Sequence, residues 1–323
     1  MLPSLARRRV GRCLTAAAAL AAPPAAHAQS AVPPAAPSAQ PPACDGPDAW
    51  NTPQAPFRLY GNTFYVGTRC LSVLLVTSPR GHVVIDGGLP ATAPLVLAGI
   101  RALGFRPGDV RLVLNSHAHY DHAGGIAALQ RATGAAVAMS AASARALRAG
   151  AVGPDDPQYG LPGAFPPVRR VRVLAEGETV RVGPLALTAV ATPGHTPGGT
   201  SWTWTSCEGR GGARRCLTFV YADSQTPVSA GGFSFTRSRA YPAALADFAR
   251  GQRALDTLRC DVLVTPHPEA SGLWDRLAAR DSARAASAGG PALVDPEGCR
   301  RYAAAARARV ARRVAEEAAR PGG

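Results

Sequence analysis

The 323-residue sequence contains no lysine, so arginine supplies all 35 of its basic residues. The formal net charge is +14 at pH 7, but no stretch interleaves basic and aromatic residues, which argues against a nucleic-acid partner. We interpret the arginine-rich segment 300–320 as a solvated basic face. With 46% hydrophobic and only 17% charged residues, the composition excludes a disordered or collagen-like chain. The length suits one large globular domain, or at most two modest ones.

The sequence also lacks a hydrophobic run that could span a membrane. Its most apolar stretch, residues 13–22, is too short, and no other stretch comes close. This stretch follows a cluster of arginines and precedes the small-x-small site at residues 26–28, so residues 1–28 are predicted to be a signal peptide. We therefore expect an exported monomer without stable membrane association. The paired arginines leave the general and the twin-arginine export routes both open.

Cysteine is scarce, with seven residues in all, of which Cys13 lies in the predicted signal peptide. The remaining six form an even number, which in an oxidising compartment indicates disulfides. The sequence favours a bond between Cys207 and Cys216, because the glycine-rich segment between them is typical of a hairpin tip. Buried free thiols are the alternative.

Residues 29–49 are rich in proline and alanine and are interpreted as a flexible leader to a catalytic domain at residues 50–323. Within that domain, apolar periodicity predicts alternating strands and helices. Strands are predicted at residues 57–60, 64–66, 71–77, 82–86, 110–115, 171–174, 179–182, 186–191, 200–205, 217–221 and 261–265. Helices are predicted at residues 91–103, 123–133, 141–148, 241–258 and over most of the remaining C-terminal part. Two similar halves of this kind predict an α/β protein, an αββα sandwich of two mixed β-sheets flanked by helices.

Residues that can bind metal are concentrated where the predicted strand 110–115 ends. The chain continues there as an H-x-H-x-D-H motif made of His117, His119, Asp121 and His122. Two histidines that are one residue apart in extended chain face the same way, so His117 and His119 can bind one ion. Asp121 and His122, where the chain turns, can face a second ion.

Two further histidines, His195 and His267, follow later predicted strands in proline-containing turns. After the signal peptide the chain has six histidines, and only His82 lies away from these positions. Imidazole-rich sites with one carboxylate suit zinc better than calcium or magnesium. Zinc lowers the pKa of a bound water to about 7, which is typical of hydrolases. We therefore predict two zinc ions, one bound by His117, His119 and His195 and the other by Asp121, His122 and His267.

These motifs resemble the metallo-β-lactamase superfamily and, within it, the subclass B3 metallo-β-lactamases. The resemblance runs from about residue 50 to residue 302, and its supporting segments are residues 84–88, 116–125, 194–205, 221–224 and 260–267. It implies the same six metal ligands and zinc-dependent hydrolysis of the β-lactam ring of penicillins, cephalosporins and carbapenems by a zinc-activated hydroxide. Asp121 would orient this nucleophile. The enzyme would act in the periplasm and confer antibiotic resistance.

The resemblance also has implications for residues around the metals. It implies a serine, here Ser224, where other subclasses have a metal-binding cysteine, and it matches a three-disulfide version of the fold with the further pairs Cys44–Cys70 and Cys260–Cys299. It makes Ser224 and Thr226 hydroxyl donors to the substrate carboxylate, although the family often has serine in place of Thr226. Ordinary strand-end capping is the alternative for both. Gln158 is a candidate for contact with the substrate amide. It lies in the long Gly/Pro-rich loop 150–168, which is interpreted either as a functional loop or as a simple surface excursion.

Two other functions remain compatible with the sequence. A glyoxalase II- or lactonase-type di-zinc hydrolase on the same scaffold would bridge its metals with an aspartate after the same strand, and Asp223 is the candidate. A non-catalytic zinc-binding protein is the second. The predicted signal peptide and the paired cysteines favour the lactamase over the first, and the complete ligand set argues against the second. Asp86 is interpreted as a carboxylate that holds a loop.

Overall fold

The computed structural model describes residues 44–285 and 293–319. The predicted signal peptide and most of the predicted leader lie outside these residues, so both stay predictions, as does the domain boundary at residue 50. Within the described residues, no helix is both long enough and apolar enough to cross a membrane.

The first half of the chain forms a seven-stranded mixed sheet. Its strands lie in sequence order: β1 (Phe57–Tyr60), β2 (Thr63–Tyr65), β3 (Leu74–Val76), β4 (His82–Ile85), β5 (Val110–Leu114), β6 (Ala136–Met139) and β7 (Arg172–Val173). Strands β1 to β4 pair antiparallel, and β4 to β7 pair parallel. Strand β6 is not among the predicted strands, because its four residues AVAM are short and half alanine. Strands β3 and β4 are fully buried, as expected for strands covered on both faces.

The second half forms a five-stranded sheet. It contains β8 (Thr179–Val182), β9 (Leu185–Ala191), β10 (Thr200–Glu208), β11 (Arg215–Tyr221) and β12 (Val262–Val264), in the order β12-β11-β10-β9-β8. All neighbours are antiparallel except β11 and β12. Strands β10 and β11 extend further toward the hairpin tip than predicted, and their pairing sets Cys207 opposite Cys216.

Helices cover the outer faces of the two sheets. The eight α-helices of the described residues are α1 (Pro47–Trp50), α2 (Ala93–Ala102), α3 (Tyr120–Ala123), α4 (Ile126–Thr133), α5 (Ala141–Ala149), α6 (Ala244–Thr257), α7 (Leu273–Ala285) and α8 (Gly298–Ala319). One apolar core joins the inner faces of both sheets, through residues such as Ile85, Trp202 and Tyr221. A second core lies between the first sheet and its helices. Helices α6 and α8 pack on each other beside the second sheet. The predicted αββα sandwich is confirmed.

The predicted helix 123–133 is divided into α3 and α4 by Gly124 and Gly125. The division has a packing cause, because a Cβ atom on Gly125 would lie 2.2 Å from the main-chain oxygen of Gly87. Only glycine allows this approach of two backbones. The contact brings the segment after β4 against the segment after β5, where the H-x-H-x-D-H motif lies.

Three disulfides join the six cysteines in the pairs named above: Cys44–Cys70, Cys207–Cys216 and Cys260–Cys299. The first ties the chain before α1 to the loop between β2 and β3. The third ties Cys260, two residues before β12, to the second residue of α8. Both therefore fix terminal segments of the described chain to the sandwich.

Candidate metal centre

The loop that carries the motif is held by Asp86, which directly follows β4. Its carboxylate accepts hydrogen bonds from Ser116 N (2.7 Å), Ser116 Oγ (2.7 Å), Asn115 Nδ2 (3.0 Å) and Tyr221 OH (2.8 Å). Asp86 is also the only non-glycine residue with a positive φ, 66°, in the part of the chain that the structure describes. In addition, the indole Nε1 of Trp202, on β10, donates a hydrogen bond to the main-chain oxygen of Asn115 at 3.0 Å. The residues before the motif are thus fixed by buried hydrogen bonds, and Asp86 has the loop-holding position predicted for it.

Three histidines form the first ligand cluster: His117, His119 and His195. Each offers one nitrogen, and these atoms lie within 4.8 Å of one another. The first two follow β5 and are one residue apart, while the third follows β9. All three side chains are buried.

Each imidazole of the first cluster has a partner outside the cluster for its other nitrogen. His117 Nδ1 lies 2.7 Å from Asp223 Oδ1, His119 Nε2 lies 2.9 Å from Asp156 Oδ1, and His195 Nδ1 lies 2.7 Å from the main-chain oxygen of Thr226. Such partners fix the orientation of a metal-binding ring and raise its basicity. The nitrogens left to face the cluster are His117 Nε2, His119 Nδ1 and His195 Nε2.

Burial controls the charge of this cluster. Burial, followed by the charges of the neighbouring histidines, lowers the pKa of His117 well below its ordinary value. Burial and the charge of His119 lower the pKa of His195 to about 3. These imidazoles are therefore neutral near pH 7, which is the form that binds a metal ion.

The second cluster is built around Asp121. Its Oδ2 lies 3.1 Å from His122 Nε2 and 3.1 Å from His267 Nε2. Burial alone would raise the pKa of Asp121, but the charge of His122 and hydrogen bonds from both histidines hold it well below its ordinary value. The carboxylate is thus ionised. The ring centroids of His117 and His122 are 4.5 Å apart, so the two clusters adjoin.

The donor atoms of both clusters fit zinc. Two ligands of a tetrahedral zinc with bonds of about 2.1 Å are separated by about 3.4 Å, close to the separations around Asp121 Oδ2. Neutral imidazoles with one carboxylate are the ligand types that zinc takes in catalytic sites. A third group of metal-capable side chains, Cys44, Cys70 and Glu269, is of a different kind. Its sulfurs are joined in a disulfide and provide no thiolate.

The predicted substrate residues lie beside the first cluster. Gln158 Nε2 lies 3.3 Å from His119 Nδ1, the nitrogen that faces the cluster. The main-chain oxygen of Thr226 and its hydroxyl, at 3.3 Å, both face His195 Nδ1. Ser224 is buried two residues earlier. The structure therefore brings Gln158 and Thr226 to the cluster, and gives Thr226 a main-chain contact that the sequence does not indicate, while the role of Ser224 stays a prediction.

Two aspartates support the cluster from behind, and only one of them is a sequence candidate. Asp223, the possible bridging residue, is fully buried against His117 Nδ1 and belongs to neither ligand group of the described residues. Burial and the charge of Asp86 raise its pKa well above the ordinary value. Asp156, which orients His119, was not predicted. Its only sequence signal is its place in the loop 150–168.

Comparisons with known proteins agree with this geometry. The family model of the metallo-beta-lactamase superfamily matches residues 66–207. The Rm3 metallo-beta-lactamase is 55% identical, with a TM-score of 0.80, over 85% of this chain and 99% of that chain. MEM-A1, a subclass B3 metallo-beta-lactamase isolated from a soil metagenome library, is 46% identical with a TM-score of 0.79, over 84% of this chain and 99% of that one.

A curated relative, N-acyl homoserine lactonase AttM of Agrobacterium fabrum, is 40% identical over 18% of this chain and 31% of its own length. The match therefore spans about a third of the length of this relative. The fold, the paired clusters and the long matches to solved structures define the class: the chain belongs to the metallo-beta-lactamase superfamily. Within that superfamily it belongs to the subclass B3 metallo-beta-lactamases.

Proposed function

We propose that this protein hydrolyses the β-lactam ring of penicillins, cephalosporins and carbapenems with two zinc ions, and so confers antibiotic resistance. One observation carries the proposal: two adjoining clusters of metal-capable side chains, three buried imidazoles beside an ionised aspartate with two further imidazoles. The identity of 55% to the Rm3 metallo-beta-lactamase over almost all of that chain supports the lactam as the substrate class.

The six ligands named from the sequence would hold the two ions. His117, His119 and His195 form the neutral site, and Asp121, His122 and His267 form the site that carries one negative charge. Zinc bound in such sites acts as a Lewis acid and lowers the pKa of water to about 7. No serine nucleophile is required for this reaction.

The residues of the chain itself bind and orient. Asp121 is ionised at neutral pH, so its carboxylate can accept a hydrogen bond from the attacking water and direct its lone pair toward the lactam carbonyl. Asp223, Asp156 and the carbonyl of Thr226 keep the three imidazoles in fixed orientations. This preorganisation removes the reorganisation that the same groups would need in water.

Substrate contacts are proposed for three side chains. The hydroxyls of Ser224 and Thr226 would donate hydrogen bonds to the substrate carboxylate. The amide of Gln158, which is next to His119, would meet the substrate amide. Since the Gln158 amide faces a ligand nitrogen of His119, it has to turn away when a metal binds there.

The proposed site of action is the periplasm, with the protein as a monomer. Three disulfides fit an oxidising compartment, because the cytosol keeps most thiols reduced.

A panel assay tests the proposed function. Purified protein should hydrolyse a chromogenic cephalosporin and a carbapenem, lose this activity with a chelator and regain it with zinc. Metal analysis should find two zinc ions per chain. Robust turnover of a thioester or a lactone together with inert β-lactams would refute the proposal in favour of a glyoxalase II- or lactonase-type hydrolase. Bound zinc without turnover of any of these substrates would favour a binding protein.

The lactonase similarity makes that enzyme the second candidate. Its chemistry would use an aspartate between the metals. Asp223 instead contacts the Nδ1 of His117, behind the ring, and this contact favours the lactamase.

A further inference from the structure

A long loop lies between the proposed active site and the C-terminal helix. It comprises residues 222–243, connects β11 to α6 and contains no strand or helix. Near its start, Thr226 accepts the hydrogen bond of His195. Further along, Ala230 N donates to Pro157 O at 2.8 Å, in the loop that carries Asp156. A displacement of the 222–243 loop would therefore shift the proposed substrate hydroxyls of Ser224 and Thr226 directly and, through Pro157, the neighbouring Gln158.

The middle of this loop is wrapped around one carboxylate, that of Glu317 in the last turn of α8. Glu317 is only 3% exposed. It accepts hydrogen bonds from Phe235 N (2.9 Å), Thr236 N (2.9 Å), Ser234 Oγ (2.7 Å) and Thr236 Oγ1 (2.8 Å). Burial raises the pKa of this carboxyl, but the hydrogen bond from Arg313 and those from the loop lower it to about 2. The buried group is thus a fully paired carboxylate.

Arg313, one turn earlier on α8, completes the contact. Its Nε donates to Glu317 at 2.8 Å, while its Nη2 donates to Ser229 Oγ (2.9 Å) and Phe233 O (3.1 Å). Its guanidinium carbon lies 5.4 Å from the ring centroid of Phe235. Together the two residues contact the loop from residue 229 to residue 236.

The charge of Glu317 does not stabilise α8, the helix to which it belongs. A negative charge in the last turn opposes the helix dipole. The order of the pair, arginine four residues before glutamate, is also the less favourable one within a helix. The neighbouring Glu316 is exposed and forms no ion pair with the described residues. The hydrogen bonds that the loop donates therefore offset the unfavourable position of the Glu317 charge in the helix.

We propose that Glu317, together with Arg313, is a positioning residue that fixes the 222–243 loop as one wall of the active site and thereby sets the affinity for substrate. It touches neither substrate nor metal. The inference rests on the proposed function, because the substrate is the one proposed above. It predicts a specific kinetic pattern: the loop controls KM, while the ligand clusters control kcat.

The test compares the same substitution at two adjacent residues. Glu317→Gln keeps the side-chain shape and removes the charge, and Glu316→Gln is the matched control on the exposed face. For Glu317→Gln we expect KM for a chromogenic cephalosporin to rise about tenfold with kcat changed less than about threefold, since only binding energy is lost. Zinc content should stay that of the unmodified enzyme. Glu316→Gln should change none of these quantities.

Amide hydrogen exchange supplies a readout that does not depend on activity. In Glu317→Gln, peptides covering residues 229–236 should exchange about tenfold faster, while peptides from α2 should not change, because local opening concerns only the loop. This result is expected even if no β-lactam is hydrolysed, so a failure of the proposed function and a failure of this inference are distinguishable.

Two results would overturn the inference. One is unchanged KM and unchanged exchange in Glu317→Gln. The other is a joint fall of zinc content, kcat and melting temperature, which would show a general structural role. If Glu317→Gln does not fold, Thr236→Val is the second test, because it removes only the hydroxyl that donates to Glu317, at an exposed position. This variant should also raise KM and the exchange rate of the loop, by smaller factors. An unchanged KM in that variant would then refute the proposal.

Discussion

The two ligand clusters are supported very differently. In the first, each imidazole has a partner behind it, two aspartates and one main-chain carbonyl, and all three rings are buried. In the second, Asp121 is shared by two histidines. The buried Nδ1 of His122 has no hydrogen-bond partner among the described residues. The side chain of His267 is 33% exposed, with its ring 5.6 Å from that of Trp50.

One scaffold thus holds two neighbouring clusters with unequal preorganisation. The first cluster is oriented before any ion arrives, since its partners fix each ring. The second depends on Asp121 and on the edge-on contact with Trp50. We therefore expect the first site to bind zinc more tightly than the second.

Removing a proposed ligand from each cluster should cause the greatest losses of activity, and these losses should differ between the clusters. His119→Ala should lower kcat/KM by more than the 10–100-fold typical of lost outer partners, because it removes a metal-binding atom itself. His267→Ala should leave the first zinc in place and cost less. Steady-state kinetics and metal analysis measure both, and His82→Ala is the control, since His82 lies in β4, in contact with Phe105 rather than with the clusters. Equal losses of zinc and activity in the two variants would contradict the ranking.

Removing a supporting partner should have the next largest effect. Asp156→Asn keeps the size of the side chain but weakens the hydrogen-bond acceptor for His119. Loss of such a partner typically lowers metal affinity by about 10–100-fold, so we expect that decrease in zinc affinity at the first site. A competition titration with a chromophoric chelator measures this affinity. Asp155→Asn is the matched control, because its side chain is 43% exposed and pairs with Arg145. The same zinc affinity in both variants would show that the support behind His119 is unimportant.

A further effect concerns the stability of the zinc-free protein as the pH falls. His117 and His195 have lowered pKa values, to about 3 for His195, so below the ordinary value of 6.5 only the unfolded chain binds their protons. Stability should decrease from about pH 6.5 downward, by up to about 1.4 kcal/mol per pH unit for each histidine.

His267 acts in the opposite direction. Although burial lowers its pKa, the hydrogen bond and charge of Asp121 raise it, so its stabilisation is present below 6.5 and is lost as the pH rises through the folded value. Urea unfolding of chelator-treated protein between pH 4.5 and 7.5 measures the balance. A free energy of unfolding that does not change over this range would remove the electrostatic distinction between the clusters.

The clustering of the proposed ligands could be predicted because their signal is local. His117 and His119 alternate after a buried strand, and His195 and His267 follow other strands, so the ends of a few strands contain almost all the histidines. The fold followed from the same apolar periodicity. Its one missed strand, β6, is a run of four small and apolar residues that is equally compatible with a helix.

The supporting residues could not be predicted, because their partners are distant in the chain. No sequence feature near Asp156 indicates that His119 lies against it. Asp223 was a candidate for an aspartate that bridges two metal ions, because it follows strand β11. The contact that decides its role is with His117, 106 residues away. The same holds for Glu317, whose charge in an arginine-rich helix gives no sign of the loop around it. Tertiary packing, and not local pattern, determines these roles.

The six ligands come from both sheets, four after β5 in the first and one each after β9 and β12 in the second. Neither half of the chain can therefore assemble a complete pair of sites alone. The H-x-H-x-D-H motif lies in the first half of the chain, so we expect a folding chain to gain full metal affinity only when the two sheets dock. We therefore expect metal capture to be a late event of folding that stabilises the docked state by mass action. On this expectation, zinc supply and successful folding are coupled for this protein.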